Sequence, residues 1–291
     1  MLQVDPDGKE LMRWEDPLAH HDQNHQDDGT ILYTTLQELT PKQAASVPGG
    51  IPGSEAPGGK IFADCIRHVD PTTGKLLWFW SLIDSIDPQD FPLQPHYTRD
   101  HYPLINSVRF TSDGNVLASL RSVSAVIIIS KETGKIIWHL DSSVVAQQHD
   151  ATELPDKSIL IFDNGVYRNG ESMPYSRVIQ VNRETKKIVW QYKDPNPMCF
   201  FSPFMGAAQR LRNGNTLVTE AGFGRIFEVT MEGEMVWEYI VPEFKSYEGL
   251  GDGAERLEGM FGYPANAVFR ANKYLPEEVP WLKTKLNGDQ R

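Results

Sequence analysis

A phrase that occurs five times constrains the fold of this chain more than any other feature of its sequence. The phrase is a polar turn followed by a short apolar run that ends in tryptophan. Its five tryptophans are Trp14, Trp78, Trp138, Trp190 and Trp237. The interval between successive tryptophans falls from 64 residues (14 to 78) to 47 residues (190 to 237). Repeats of about this length are typical of propellers and solenoids. We interpret the tryptophans as structural, because one per repeat on the same strand can pack repeat against repeat.

Four of the repeats contain a second landmark, a tight turn between two strand-like segments. The turns are Asp28-Gly29, Asp113-Gly114, Asp156-Lys157 and Asn213-Gly214. Asp-Gly and Asn-Gly between alternating segments are strong hairpin signals. Each of these repeats therefore contains four predicted antiparallel strands, and the sequence predicts an all-β protein, a β-propeller of four-stranded blades.

The two ends of the chain complement each other in this pattern. Residues 1–14 supply only the last two strands of a blade, and Ala265–Arg270 supplies only a first, innermost strand. We predict that they join in one composite blade, which closes a ring of five blades and removes exposed sheet edges. Residues 1–274 are then a single propeller domain, and 275–291 a peripheral tail.

Two insertions interrupt the repeats at 82–105 and 240–262. Both follow an outer strand and precede an innermost strand, so we expect them to lie over the mouth of the propeller, where long loops often form substrate walls. The Gly- and Pro-rich stretch 48–59 is predicted to be a surface loop.

Composition excludes some classes of partner. The net charge of −11 disfavours nucleic-acid binding, and no run of 18 apolar residues predicts a membrane span. Two cysteines, Cys65 and Cys199, do not define a disulfide framework. The first residues of the sequence carry no secretory signal pattern. A sequence of this kind is typical of a cytoplasmic protein.

Polar residues recur at the start of the innermost strands, where blades converge on the axis. These residues are His21, Asn106, His149 and Asn266. They predict either a shared ligand site or hydrogen bonds to backbone and channel water. His149 is the strongest functional candidate, because His149-Asp150 repeats His21-Asp22 at an equivalent position.

Arginines add a candidate anion site. Arg168 follows a strand that returns towards the mouth, where its guanidinium could bind an oxyanion. Arg121 and Arg177 are further candidates, with surface ion pairs as the alternative. His21 and His25 would lie about 13 Å apart on one strand, too far for one zinc ion, so we predict no metal.

The sequence contains no nucleophile elbow, P-loop, dinucleotide motif or CxxC pair. No cofactor is therefore predicted. The groups left for catalysis are imidazole, guanidinium and amide side chains. Histidine could then act as a nucleophile or as a general acid–base, and arginine could bind a small anionic or aromatic substrate.

Several motifs resemble the arylsulfotransferase family, the PAPS-independent aryl-sulfate sulfotransferases. They include Gln148-His149-Asp150-Ala151, Phe162-Asp163-Asn164-Gly165 and Asn213-Gly214-Asn215-Thr216-Leu217. The resemblance, which extends from about residue 20 to 274, implies a usually six-bladed propeller with an axial active site. It also implies sulfuryl transfer from a phenolic sulfate to a phenol without a nucleotide, and a periplasmic or secreted location.

The resemblance assigns roles to three residues. His149 matches the active-site histidine, Arg168 the sulfate-binding arginine, and His21 the histidine of an earlier blade. The family uses a further histidine from a later blade as its covalent nucleophile, whereas this sequence has no histidine after His149. Two alternatives therefore stay open: another lyase or hydrolase on the same scaffold, or a non-catalytic propeller that binds a ligand or a protein.

Overall fold

The computed structural model describes residues 1–245 and 265–279, which form one two-stranded sheet, one five-stranded sheet and three four-stranded antiparallel sheets. The two-stranded sheet contains β1 (Leu2–Val4) and β2 (Glu10–Arg13). The first complete blade contains β3 (Ala19–His25), β4 (Ile31–Glu38), β5 (Phe62–Asp70) and β6 (Lys75–Ser81), with β7 (His101–Tyr102) parallel to β5. The second contains β8 (Ile105–Phe110), β9 (Val116–Leu120), β10 (Ala125–Ile129) and β11 (Ile136–Leu140). The third contains β12 (His149–Glu153), β13 (Ile159–Asp163), β14 (Arg177–Val181) and β15 (Ile188–Tyr192). The fourth contains β16 (Ala207–Arg210), β17 (Thr216–Glu220), β18 (Arg225–Val229) and β19 (Met235–Ile240).

Helical segments are short. The α-helices in the described residues are α1 (Pro41–Ser46) and α2 (Leu82–Ser85). The 3₁₀ turns are Pro88–Asp90, Arg121–Val123, Pro197–Cys199, Ala221–Phe223 and Pro276–Glu278. None of the helices in the described part of the chain is long and apolar enough to cross a membrane. Cys65 and Cys199 are both free thiols.

The repeated tryptophans join neighbouring blades, as the repeat predicts. Three indole N–H groups donate to a backbone carbonyl in the turn of the next blade. These bonds run from Trp78 to Lys131 (2.9 Å), from Trp138 to Arg183 (2.7 Å) and from Trp190 to Met231 (2.8 Å). Apolar strands such as β10 are buried on both faces between two blades. Each tryptophan phrase therefore sets both the end of one blade and its contact with the next.

The innermost strands are linked directly to one another. In each link a side-chain oxygen of one strand accepts a backbone N–H of the following strand. The links are Asp22 to Val108 (2.9 Å), Ser107 to Ala151 (3.2 Å) and Asp150 to Ala208 (3.2 Å). Asp22 and Asp150 thus make the same contact in different blades, which confirms that His21-Asp22 and His149-Asp150 are equivalent. The links hold β3, β8, β12 and β16 side by side at the hub.

The chain ends agree with the prediction only in part. β1 and β2 form the predicted outer hairpin, but Ala265–Arg270 is not a strand in the described structure. Its one ladder contact is a bridge from Ala265 to Lys245. The segment instead lies along the fourth blade, where Val268 N–H donates to the Ala221 carbonyl at 3.0 Å. The prediction of a strand at Ala265–Arg270 is therefore wrong for the described structure. Most of the predicted 240–262 insertion and of the 275–291 tail lies outside the described residues.

Candidate functional site

A bulge at the start of β3 brings two consecutive histidines together. The pairing of β3 with β4 passes from His20–Thr34 directly to Gln23–Tyr33, so two residues of β3 have no opposite partner. His21, in this bulge, has φ of +50°. Side chains alternate between faces along a regular strand, and a bulge interrupts that alternation. Nδ1 of His20 consequently lies 2.9 Å from Nδ1 of His21.

His20 belongs to a compact cluster that three strands assemble. Nε2 of His20 is 2.9 Å from Oδ1 of Asp64 on β5, and Nε2 of His101 on β7 is 3.1 Å from Oδ2 of the same carboxylate. The rings of His20 and His101 meet edge to face with centroids 5.0 Å apart. We name His20, Asp64 and His101 the His–Asp–His cluster.

Asp64 is the anionic centre of this cluster and has no exposed surface. Burial alone would raise the pKa of its carboxyl, but His101 and His20 outweigh burial and hold that pKa below its ordinary value. The backbone N–H of Leu104 also donates to Oδ2 at 2.8 Å. The structure therefore keeps a charged carboxylate in the interior, which requires cationic or hydrogen-bonding partners.

Arg121 lies where side chains from several blades converge. It begins a 3₁₀ turn directly after β9, and its guanidinium packs over the Tyr97 ring at 5.2 Å. Its Nη2 donates to the Pro203 carbonyl at 3.3 Å, while its buried Nε has no hydrogen-bond partner. Among residues 1–245 and 265–279, no carboxylate forms an ion pair with it. Within this described part of the chain, Arg121 is thus a partly buried cation without a carboxylate partner.

This cation influences three neighbouring imidazoles. The pKa of His149 lies well below 6.5, because of burial first and the charge of Arg121 second. Burial and Arg121 also lower the pKa of His96. Burial lowers the pKa of His21 most. The neighbouring His20 and His101 lower it further, and Arg121 has a smaller effect in the same direction. His21 is nevertheless exposed to solvent.

His149 is enclosed and fully engaged. Its Nδ1 lies 2.7 Å from Oδ1 of Asn164, and its Nε2 accepts the backbone N–H of Met205 at 3.2 Å. An amide oxygen can only accept, so Nδ1 carries the proton and His149 is a neutral imidazole. The Asn164 amide donates in turn to the Ser202 carbonyl at 2.8 Å. His149 therefore joins the third blade to the segment before the fourth.

Aromatic side chains from the 82–105 insertion border the Arg121 region. Tyr97 donates its hydroxyl hydrogen to Gln147 Oε1 at 2.7 Å, which fixes the ring beneath the guanidinium. His96 stacks on Tyr167 with centroids 4.1 Å apart, and Tyr167 is 70% exposed. An apolar ring bound beside Arg121 would find aromatic partners here.

The other predicted site residues form different contacts. Arg168 pairs with Asp163 at 3.1 Å and packs over the Tyr175 ring at 4.3 Å, and Arg177 binds the same carboxylate at 2.8 Å. The described contacts do not bring Arg168 to His149 or His21, so its role as a sulfate ligand stays a prediction.

The two asparagines bond to backbone. Asn106 donates to the Gln148 carbonyl at 2.8 Å, and Asn266 to the Val241 carbonyl at 3.0 Å. Both side chains are buried. These contacts match the alternative in which the asparagines satisfy backbone groups, and a substrate-binding role for either stays a prediction.

Sequence reasoning predicted His21, His149 and Arg121 but missed Asp64, His101, His96 and Tyr97. Three of the missed residues belong to the 82–105 insertion, which we expected over the mouth. Its histidines, in a chain with eight, were a usable signal. Asp64 gave no such signal, because a single acidic residue within an apolar strand has no local pattern.

These observations define the class of the protein: a β-propeller with a histidine- and arginine-lined site near its hub. The family model for arylsulfotransferase (ASST) matches residues 4–241. The chain therefore belongs to the arylsulfotransferase family, as its motifs indicate. No curated protein matches the chain.

Solved structures with similar folds are distant in sequence. Virginiamycin B lyase from Staphylococcus aureus is 21% identical, with 72% of this chain and 60% of that chain covered and a TM-score of 0.38. The RRP9 WD40 repeats are 9% identical, with 82% and 56% covered and a TM-score of 0.47. The Dos1 propeller is 12% identical, with 84% and 54% covered and a TM-score of 0.44. The chain thus spans between half and two thirds of the length of these structures.

Proposed function

We propose that this chain acts on a small aromatic sulfate ester and that Arg121 binds the sulfate group. The observation that carries the proposal is the charge of Arg121, which no carboxylate of residues 1–245 and 265–279 pairs with. A partly buried guanidinium without a carboxylate partner is costly unless an anion completes it. The guanidinium presents planar paired donors that suit an oxyanion.

The aromatic part of the substrate has partners beside this arginine. Tyr97 lies against the guanidinium, and the exposed Tyr167 lies next to His96. We propose that the aryl ring packs between these side chains while the sulfate reaches Arg121. This arrangement favours an aryl ester over an alkyl ester, because offset aromatic packing adds about 0.5–1.5 kcal/mol beyond buried area.

We propose His21 as the group that moves the proton. Its Nδ1 is held by His20, and in the described structure no hydrogen bond engages its Nε2. Burial keeps this ring neutral, so Nε2 would accept the proton of the acceptor hydroxyl as the new S–O bond forms. It would then donate that proton to the ester oxygen as the old S–O bond breaks. A phenol as acceptor gives transfer, and water gives hydrolysis. No covalent histidine intermediate is needed, which agrees with the lack of histidine after His149.

His149 is proposed as a positioning residue. Both ring nitrogens are already hydrogen bonded, to Asn164 and to the Met205 amide. It would hold the Ser202–Met205 segment, whose Pro203 carbonyl accepts from Arg121, and thereby fix the guanidinium. Arg168 would support the same region through Asp163, unless the anion binds it directly.

The test is release of a chromogenic phenol from its sulfate ester, with and without a phenol acceptor. Arg121→Gln should raise KM and lower kcat/KM at least about 100-fold, since a charge-assisted contact to a buried anion is lost. Arg212→Gln, at an arginine that is 69% exposed, is the control. His21→Gln should lower kcat with a smaller change in KM, whereas His139→Gln should not. Equal activity of Arg121→Gln and the control would contradict the proposal.

A second candidate is a propeller that binds the same anionic ligand without turnover. The saturation of both nitrogens of His149 favours it. Isothermal titration with an aryl sulfate separates the two. Binding that depends on Arg121, together with no phenol release above the His21→Gln level, would support the binding function.

A further inference from the structure

We infer that the His–Asp–His cluster, His20, Asp64 and His101, is a binding site for one divalent transition-metal ion of the Zn²⁺ type. The inference does not depend on the proposed sulfate chemistry. The sequence analysis predicted no metal, because the sequence contains no metal-ligand spacing. The three ligands are distant in sequence and come from β3, β5 and β7.

The distances within the cluster fit coordination. All three ligand atoms lie within 4.8 Å of one another, and the carboxylate oxygens are 2.9 Å from His20 Nε2 and 3.1 Å from His101 Nε2. Ligands about 2.0–2.2 Å from zinc are separated by roughly 3.0–3.5 Å in octahedral or tetrahedral arrangements. The two distances to the carboxylate match this range, and the remaining pair would close from at most 4.8 Å when the ion binds.

Direct hydrogen bonding explains only half of the cluster. His101 and Asp64 have hydrogen-bond geometry. His20 Nε2 and Asp64 Oδ1, although 2.9 Å apart, do not, and both atoms are buried without any hydrogen-bond partner. Buried polar atoms of this kind are rare and call for a ligand or ion. An ion that contacts both would satisfy them together.

The surroundings of the ligands resemble those of working metal sites. His20 contacts His21 through its other ring nitrogen, and Leu104 N–H binds the Asp64 carboxylate. Such second contacts orient ligands and fix the tautomer of a ligating histidine.

The donor set selects the class of metal. Two imidazoles and one carboxylate suit Zn²⁺ and Fe²⁺ rather than Ca²⁺ or Mg²⁺, which prefer all-oxygen sites. Three protein ligands leave at least one position free, as in catalytic rather than structural zinc sites. The neighbouring His21 is exposed, so solvent reaches the edge of the cluster.

The experiment is a Zn²⁺ titration of the chelator-treated full chain by calorimetry, with Co²⁺ absorption as a second readout. We expect one tight site per chain and a higher Tm with Zn²⁺. His101→Ala should weaken binding at least about 100-fold, because even loss of a supporting contact typically costs 10–100-fold. Asp64→Asn should do the same and also change the Co²⁺ spectrum. His25→Ala and His139→Ala are matched controls outside the cluster.

The outcomes separate this inference from the proposed function. Zn²⁺ binding that is absent, or equal in His101→Ala and the control variants, would overturn the metal site whatever the enzyme assay shows. If Asp64→Asn fails to fold, His101→Ala decides the question alone, because its side chain is partly exposed. Tight Zn²⁺ binding in a protein without aryl sulfate activity would support the site and contradict only the proposed function.

Discussion

The guanidinium of Arg270 lies 3.0 Å from the carboxylate of Asp22, although 248 positions separate the two residues in sequence. Its other amino group lies 3.0 Å from Asp150. One late side chain thus bridges the two aspartates that link neighbouring innermost strands, and Asp150 has a second cation in Arg109. This contact ties the late part of the chain to the first and third blades at the hub.

Arg270→Gln should therefore destabilise the whole propeller. Removal of the cation leaves the nearly buried Asp22 without its arginine, while Asp150 keeps Arg109 at 2.8 Å. Loss of one partner from a buried ion pair typically costs about 3–5 kcal/mol. Chemical unfolding followed by tryptophan fluorescence measures the free energy of unfolding. The control is Arg212→Gln, which removes an exposed pair with Glu278 and should cost less than about 1 kcal/mol. Similar costs for both variants would show that Arg270 does not bridge the hub.

Trp138→Phe should lower the free energy of unfolding by about 2 kcal/mol, because a hydrogen bond and buried packing are lost together. Trp138 is 8% exposed and bonds to the Arg183 carbonyl of the next blade. Trp237→Phe is the matched control, since Trp237 occupies the same position in the fourth blade but is 45% exposed. Thermal melts of both variants check the difference. A larger loss of stability in Trp237→Phe would contradict the role of the indole as a contact between blades.

Gly165→Ala should be much more harmful than Gly170→Ala. Both glycines have φ of +79°, so both alanines carry the same backbone strain. A Cβ at Gly165 would lie 1.9 Å from the Tyr175 carbonyl oxygen, whereas one at Gly170 meets nothing within 4 Å. The backbone strain is the same in both variants, so the difference between their free energies of unfolding gives the cost of the steric clash at Gly165. We expect it to exceed about 2 kcal/mol, and equal losses would refute the close approach.

The buried neutral state of His149 predicts a pH dependence of stability. Its pKa is well below 6.5 in the folded protein, so below pH 6.5 the unfolded chain binds a proton that the folded chain does not. The free energy of unfolding should fall with decreasing pH in this range, by up to about 1.4 kcal/mol per pH unit for this group. His149→Gln should remove that part of the slope, and His139→Gln should retain it. Parallel slopes in all three proteins between pH 6.5 and 5 would disprove the assignment.

Most of the fold follows from local signals in the sequence. The tryptophan phrases and the Asp-Gly and Asn-Gly turns mark strand ends, and both depend only on neighbouring residues. The predicted strand at Ala265–Arg270 was wrong because its apolar pattern does not specify a pairing partner. The segment instead bonds to Ala221 and places Arg270 at the hub.

The site was less accessible to sequence reasoning. His21 and Arg121 could be selected because they occupy recognisable positions in the repeat. Asp64 and His101 become neighbours only through the parallel pairing of β5 with β7, which crosses the 82–105 insertion. Arg168 follows a motif, but its direction depends on how the loop after Gly165 folds, and there Asp163 competes for it.

Because of the bulge in β3, the relative position of the two adjacent imidazoles depends on the number of residues in the strand more than on the side chains around them. Deleting one residue between Ala19 and Gln23 would reduce the bulge from two unpaired residues to one and separate the His20 and His21 rings. Relatives that keep this pair should therefore vary in side chains around it while conserving the number of residues, and natural or engineered indels should be confined to the hairpin tips.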